Sequence, residues 1–175
     1  MSPAVMAADD AVAAELTDLV NRAYDVAERG LWREGVARTT HAETADAIAR
    51  QEVLVARDGG RIVGTVRTRL LDGFTGWFGA LAVDATYAGR GIGGLLVAAA
   101  EGCASEAGAS SMQLELLVPV AGHAHIEMLT SWYMRLGYRR TGLRDLAEID
   151  PAAVPFLLQP CHAAVMQKDL ANPSG

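Results

Sequence analysis

The sequence is poor in cysteine, in positive charge and in long apolar runs. Its 175 residues include two cysteines, Cys103 and Cys161. They stand far apart, with no CxxC and no histidines at metal spacing, which speaks against a disulfide framework or a metal site. The plain expectation is two buried thiols in a reducing compartment. No apolar stretch reaches about 18 residues, so no membrane span is expected. The opening MSPAVMAADD has no basic segment and meets Asp9 and Asp10 early, unlike a secretion signal. A cytoplasmic setting follows as an expectation. The net charge of −6 argues against nucleic acid or an anionic membrane as partner. Internal repeats and low-complexity linkers are also missing.

What is present suits a folded chain. Hydrophobic residues make up 51% and charged residues 21%, and the length is enough for one domain with a sizeable core. One domain is expected over residues 1–170, with a frayed tail at 171–175. The acidic balance suits a cationic substrate, although many soluble proteins share it.

Periodicity gives an outline. Residues 8–27 read as a helix, with Ala11, Ala14, Leu16, Leu19, Val20, Ala23 and Val26 as its apolar stripe. A short helix is expected at 44–50. Residues 52–57 and 61–71 look like strands joined by Asp58-Gly59-Gly60, a strong hairpin signal. Residues 77–83 form a third strand, so the first half holds an antiparallel meander. Helix spacing then appears at Ile92, Leu95, Leu96, Ala99, Cys103 and Ala107, closed by Gly108. Next comes a strand with Met112, Leu114, Leu116 and Val118 on one face and Gln113 and Glu115 on the other. Strand, helix and strand in that order imply a parallel pair. A second amphipathic helix spans 126–136, stopped by Gly137, and strands are expected at 138–148 and 162–168. The fold class is α+β: a mixed sheet in which an antiparallel meander precedes a parallel strand pair, flanked by helices.

The run Gly89-Arg90-Gly91-Ile92-Gly93-Gly94 has four glycines in six residues. Glycine weakens regular structure, yet this run joins a strand to a helix. A helix N-terminus exposes unpaired N–H groups and a partial positive charge. Glycine lets an anion approach that backbone closely, so the run reads as a pyrophosphate cradle, with Arg90 adding a cation. The bland alternative is a loop chosen for tight turning alone. No Lys-Ser/Thr follows, so the P-loop pattern fails. A dinucleotide fingerprint GxGxxG does fit Gly89, Gly91 and Gly94, with Glu115 about 20 residues on. An NAD(P)-dependent oxidoreductase is therefore a rival reading. Context opposes it: DATYA separates the strand from the glycines, and an antiparallel meander precedes them.

Two motifs together resemble the GCN5-related N-acetyltransferase (GNAT) family. Ala88-Gly89-Arg90-Gly91-Ile92-Gly93 is similar to its phosphate loop, Arg/Gln-x-x-Gly-x-Gly/Ala, with Ala88 in place of the usual Arg or Gln. LTSWYMRLGYRRTG resembles its second signature, although Ile126 stands where an Asn often opens that helix. LAVD resembles the end of the family's fourth strand. The order of elements agrees along essentially the whole chain. The resemblance implies acetyl-CoA as co-substrate and no metal, with the parallel strands splayed around the pantetheine. It places the pyrophosphate on the amides from Gly89 to Gly94. Backbone groups of Leu81, Ala82 and Val83 then lie beside the pantetheine, with an N–H near Val83 polarising the acetyl carbonyl.

The implied reaction moves an acetyl group to a primary amine of a small molecule or peptide. An alkyl ammonium, of pKa roughly 10.4, must lose a proton before it attacks. The departing thiolate leaves better if protonated. Tyr133 matches the family tyrosine that serves the leaving group; by itself it would read as a core tyrosine. The base is open among Glu115, His123, His125 and water, and some relatives carry a carboxylate early on the fourth strand where this chain has Trp77. Trp32, Trp77 and Trp132 are candidates for the acceptor pocket or for the core. A non-catalytic acyl-CoA-binding or sensing module on the same fold is the alternative function. Family members often dimerise, so a homodimer is compatible with the resemblance.

Overall fold

A computed structural model describes residues 4–170; the tail at 171–175 lies outside them. Two compact units emerge, one of residues 4–24, 37–112 and 169–170 and one of residues 25–36 and 113–168. The strands are β1 (Ala4–Ala7), β2 (Val53–Asp58), β3 (Arg61–Leu70), β4 (Thr75–Val83), β5 (Ser111–Pro119), β6 (Arg139–Asp145) and β7 (Cys161–Asp169). The helices are α1 (Ala13–Ala27), α2 (His41–Ala49), α3 (Ile92–Glu106), α4 (Ala124–Arg135) and α5 (Leu146–Ile149). The fold is mixed α+β, as expected from the sequence.

In the first unit β1, β2, β3 and β4 pair antiparallel in that order. The Asp58-Gly59-Gly60 turn joins β2 to β3, with Gly59 at φ +62° as such a turn requires. Beside β4 lies the start of β5. Ser110 N–H donates to Phe74 O at 2.8 Å, and a Cβ on Gly76 would lie 2.6 Å from Met112 Sδ. Both strands advance the same way from these contacts, so they form the parallel pair that the crossover through α3 implied. The core of this unit packs Leu16, Leu19 and Val20 of α1 and Ile48 of α2 onto Val53, Val55, Ile62 and Ala82.

In the second unit the strand order is β5, β7, β6, and β6 pairs antiparallel with β7. β6 is the outer strand and is largely exposed, Arg139, Arg140 and Arg144 included. The segment 31–33 is sewn to the connection between β6 and β7. Arg33 N–H donates to Phe156 O and Leu158 N–H to Leu31 O, each at 2.9 Å.

Several expectations shift. α2 starts at His41, not at 44, because Thr40 and Glu43 form a capping box: Thr40 Oγ1 accepts from Glu43 N–H at 3.2 Å and Glu43 Oε2 from Thr40 N–H at 2.8 Å. The helix expected from residue 8 begins at Ala13 after a 3-10 turn, Asp10–Val12; Ala11, Ala14 and Val26 face solvent, while Val12 and Ala13 are buried. On β5, burial slips after Leu116: Leu117 is buried and Val118 half-buried. The strand expected to continue to 148 ends at Asp145, whose carboxylate caps α5 by accepting from Ala147 N–H at 3.0 Å. Cys161 is buried but Cys103 is exposed.

The largest shift is on α3. Ile92 and Leu96 are buried as expected, but Leu95, Cys103 and Ala107 are exposed, and Ala100 and Ala104 are buried in their stead. The helix is apolar almost all round, so its sequence leaves the phase open; the sheet decides it. A Cβ on Gly64 would meet Leu96 Cδ1 at 2.9 Å and Ile92 Cγ2 at 3.1 Å, and one on Gly76 would meet Ala104 Cβ at 2.6 Å. Two glycines on β3 and β4 thus form the seat into which α3 sinks. Gly76→Ala is expected to destabilise the protein by about 1–3 kcal/mol, because Ala104 Cβ sits on a helix backbone that must shift as a whole. Urea denaturation will read this as a lower midpoint with an unchanged slope.

Candidate functional site

The first part of the site lies where β4 leaves the sheet. Between the pairs Thr65↔Ala82 and Arg67↔Gly79 the register shifts, so Ala80 and Leu81 together oppose Val66. This bulge holds Ala80 at φ +49°, a conformation that costs a side-chain-bearing residue about 1 kcal/mol or more. Beyond it, Asp84 N–H donates to Val63 O at 2.9 Å. Antiparallel alternation then turns Ala82 toward β3 and Val83 away from it. The Val83 N–H and C=O therefore point off the β3 side of the strand, free to serve something other than β3.

A 3-10 turn, Ala85–Tyr87, follows. It is the DATYA segment that separates strand from glycines. Asp84 Oδ1 accepts from Thr86 N–H at 2.9 Å and Thr86 Oγ1 at 2.6 Å, and Oδ2 accepts from Arg61 at 2.8 Å. These contacts, the Thr86 hydroxyl first, hold the Asp84 carboxyl down at about 2. The glycine run comes next. Gly89 and Gly91 take φ of +75° and +79°, and Gly91 is the N-cap of α3 with no side chain capping it. Among the described residues, nothing accepts from the N–H groups of Gly89, Gly91, Ile92, Gly93 or Gly94. A Cβ on Gly89, Gly91 or Gly94 would meet nothing within 4 Å. The expected row is broken at Arg90, whose N–H donates to Tyr87 O at 3.3 Å; the other five amides stand in one short stretch without a protein acceptor, and such a set of donors can hold a diphosphate. Arg90 is exposed, and its guanidinium lies 4.8 Å from the centre of the Tyr87 ring.

The second part lies in the other unit and is described separately. α4 ends in a Schellman motif: Gly137 N–H donates to Met134 O at 3.0 Å and Tyr138 N–H to Tyr133 O at 3.1 Å, with Gly137 at φ +96°. Tyr133 and Tyr138 also meet edge to face with ring centres 6.0 Å apart, and Trp132 lies 4.8 Å from Tyr133. Tyr133 is buried. The WYMRLGY signature is thus a helix stop that pins one tyrosine against another. On β5, Gln167 donates to Gln113 Oε1 at 2.9 Å and Gln113 to Glu115 Oε1 at 2.8 Å. Glu115 therefore shares the face of Gln113, as the alternation predicted, and its carboxylate is oriented by a side-chain chain. His123 Nε2 lies 3.1 Å from Arg29 O, while its Nδ1 is buried without a hydrogen-bond partner among the described residues. His125, the other histidine candidate, is half-buried near the start of α4.

The tryptophans have separate roles. Trp32 N–H donates to the buried Glu28 at 2.6 Å. Trp77 lies along its own strand, over Gly79, where a Cβ would be 2.5 Å from the indole. Arg69 sits 5.0 Å above that indole. The bulge at Ala80 escaped sequence reasoning, since GALAV carries no bulge signal. Gly79 was the one hint, as a glycine in a strand marks a close approach. Among the described residues no group of three or more His, Cys, Asp and Glu is placed to hold a metal, and no helix is long and apolar enough to cross a membrane.

The chain is similar to known proteins at two levels. A family model described as an acetyltransferase (GNAT) domain matches residues 49–140, more than half of the chain. No curated protein matches the sequence. Among solved structures, Rv2747 from Mycobacterium tuberculosis, in complex with CoA and NLQ, is 18% identical with a TM-score of 0.69, over 97% of this chain and 100% of that one. A phosphinothricin acetyltransferase from Sinorhizobium meliloti, in complex with AcCoA, is 18% identical with a TM-score of 0.71, over 99% and 91%. The ribosomal-protein-S18-alanine N-acetyltransferase from Escherichia coli is 13% identical with a TM-score of 0.69, over 99% and 98%. At these identities the likeness is one of fold.

Two outcomes are expected. Gly94 stands in the first turn of α3 with no steric need for glycine, so Gly94→Ala is expected to raise stability by about 0.5–1 kcal/mol. The same Cβ enters the space before the amides, so the thermal shift produced by CoA should shrink. Asp84 has a depressed pKa, so its contribution to stability is full above its unfolded value of roughly 3.9 and is lost as pH falls through about 2. The stability gap between wild type and Asp84→Asn, read by urea denaturation, is expected to narrow between pH 5 and pH 2.5.

Proposed function

The chain belongs to the GNAT family of acetyltransferase domains, and on that footing we propose that it is an acetyl-CoA-dependent N-acetyltransferase acting on a primary amine of a small molecule or peptide. The observation that carries this reading is the set of five amides leading into α3, those of Gly89, Gly91, Ile92, Gly93 and Gly94, from which nothing accepts among the described residues, with open space where Gly89, Gly91 and Gly94 would carry a Cβ. A dinucleotide enzyme is disfavoured by the fold: the glycines follow an antiparallel strand and a 3-10 turn, not a strand of an open parallel sheet. A cytoplasmic setting belongs to the same proposal.

Bound here, acetyl-CoA supplies a thioester whose C–S bond breaks as the amine nitrogen bonds to the acetyl carbon. The amides of Gly89, Gly91, Ile92, Gly93 and Gly94 hold the pyrophosphate. Leu81, Ala82 and Val83 present backbone to the pantetheine, and the Val83 N–H, turned away from β3, polarises the carbonyl oxygen. Glu115 takes the proton that the acceptor ammonium must shed, directly or through water; its tether to Gln113 supports that role. His123, with an unpartnered Nδ1, is the next candidate, followed by His125 and water. Tyr133 gives its hydroxyl proton to the departing sulfur. The family resemblance of its helix end supports this role, as does the Schellman stop that fixes its backbone.

The test is release of CoA from acetyl-CoA across a panel of amines. Tyr133→Phe is expected to lower kcat about a hundredfold; turnover at the wild-type level would remove the acid role. A thermal shift with CoA but no turnover with any amine would favour a non-catalytic acyl-CoA sensor. A shift with NAD(P) and none with CoA would sink the proposal.

A further inference from the structure

Tyr87 ends the 3-10 turn, two residues before the first glycine of the run, and its contacts exceed what a turn needs. Its hydroxyl donates to Asp58 Oδ2 at 3.0 Å, at the tip of the β2–β3 hairpin. That hydrogen bond raises the tyrosine's pKa, so the donor keeps its proton well into alkaline solution. Two guanidinium groups lie against the ring, Arg90 at 4.8 Å and Arg61 at 5.8 Å from its centre. The two arginines differ. Arg61 is paired with Asp84 at 2.8 Å. Arg90 has no ion pair among the described residues, and it stands inside the glycine run with the open amides on either side of it in sequence. Residue 88, an alanine, contributes no charge to this turn.

We propose that Tyr87, anchored by Asp58, is a positioning residue that holds the Arg90 guanidinium beside the open amides to meet a phosphate group of the acyl carrier. A lone arginine on a glycine-rich loop loses much of its freedom when it binds. An aromatic ring that already carries the guanidinium removes part of that loss before the ligand arrives. The consequence is selectivity: this turn takes a phosphorylated thioester and discriminates against one that ends at the pantetheine. The inference rests on the CoA reading given above.

Binding is measured by calorimetry with CoA, dephospho-CoA and pantetheine, for wild type, Arg90→Gln, Tyr87→Phe, Tyr87→Leu and the double variant Tyr87→Leu/Arg90→Gln. Arg90→Gln is expected to weaken CoA binding about tenfold and to flatten its dependence on salt. Tyr87→Leu should weaken it by a similar factor alone and add little in the Arg90→Gln background. Tyr87→Phe, which keeps the ring and loses the anchor, should fall between. Pantetheine binding should be unchanged throughout. A loss shared by CoA and dephospho-CoA assigns Arg90 to the pyrophosphate; a loss confined to CoA assigns it to the 3′-phosphate. If wild type binds CoA and Arg90→Gln binds it equally well, the inference falls alone. It also falls if the two substitutions are fully additive. If wild type does not bind CoA at all, the proposed function falls and takes this inference with it.

Discussion

The row of unpaired amides at the start of α3 is the constraint around which the first unit is organised. Those donors can be offered to a ligand because no side chain caps the helix start and the space beside Gly89, Gly91 and Gly94 is open. An uncapped helix start gives up about 1 kcal/mol of capping energy, and four glycines in its vicinity add an entropic cost. The helix is held in spite of this by what lies beneath it. Ile92 and Leu96 sink onto Gly64, and Ala104 sinks onto Gly76. Close seating along the helix offsets the weak beginning and fixes where the donors stand.

The approach to that row is equally built. Asp84 gathers Thr86 and Arg61, and Tyr87 reaches Asp58. The β2–β3 hairpin therefore holds the turn from one side while β4 feeds it from the other. Just upstream, the bulge at Ala80 and Leu81 changes which backbone groups face β3. An ordinary strand would have continued its alternation unbroken; the added residue resets it before Val83.

Much of this was legible in the sequence, for identifiable reasons. Glycines in a left-handed conformation announce themselves, since few other residues accept it: Gly89, Gly91, Gly108 and Gly137 all sit where a helix starts or stops. The hairpin at Asp58-Gly59-Gly60 and the face shared by Gln113 and Glu115 also followed from local rules. What stayed hidden depends on partners distant in sequence. The phase of α3 is set by two glycines on other strands, because its own residues are apolar on nearly every side. The bulge is set by pairing with Val66, and the ring of Tyr87 gains its meaning from Asp58 and Arg90. The capping box at Thr40 and Glu43 is the exception: it is written locally in TTHAE, and it moves the start of the helix from the expected residue 44 to His41.

The outer strand β6 bears on how the molecule meets its own kind. An edge strand offers a ladder of unsatisfied peptide groups to any chain that comes alongside. Here that ladder carries Arg139, Arg140 and Arg144 within seven residues. Two copies paired antiparallel about Gly142 would set Arg140 against Arg144, like charges directly opposite one another. The arginines act as a fence that puts a charge cost on pairing along this edge.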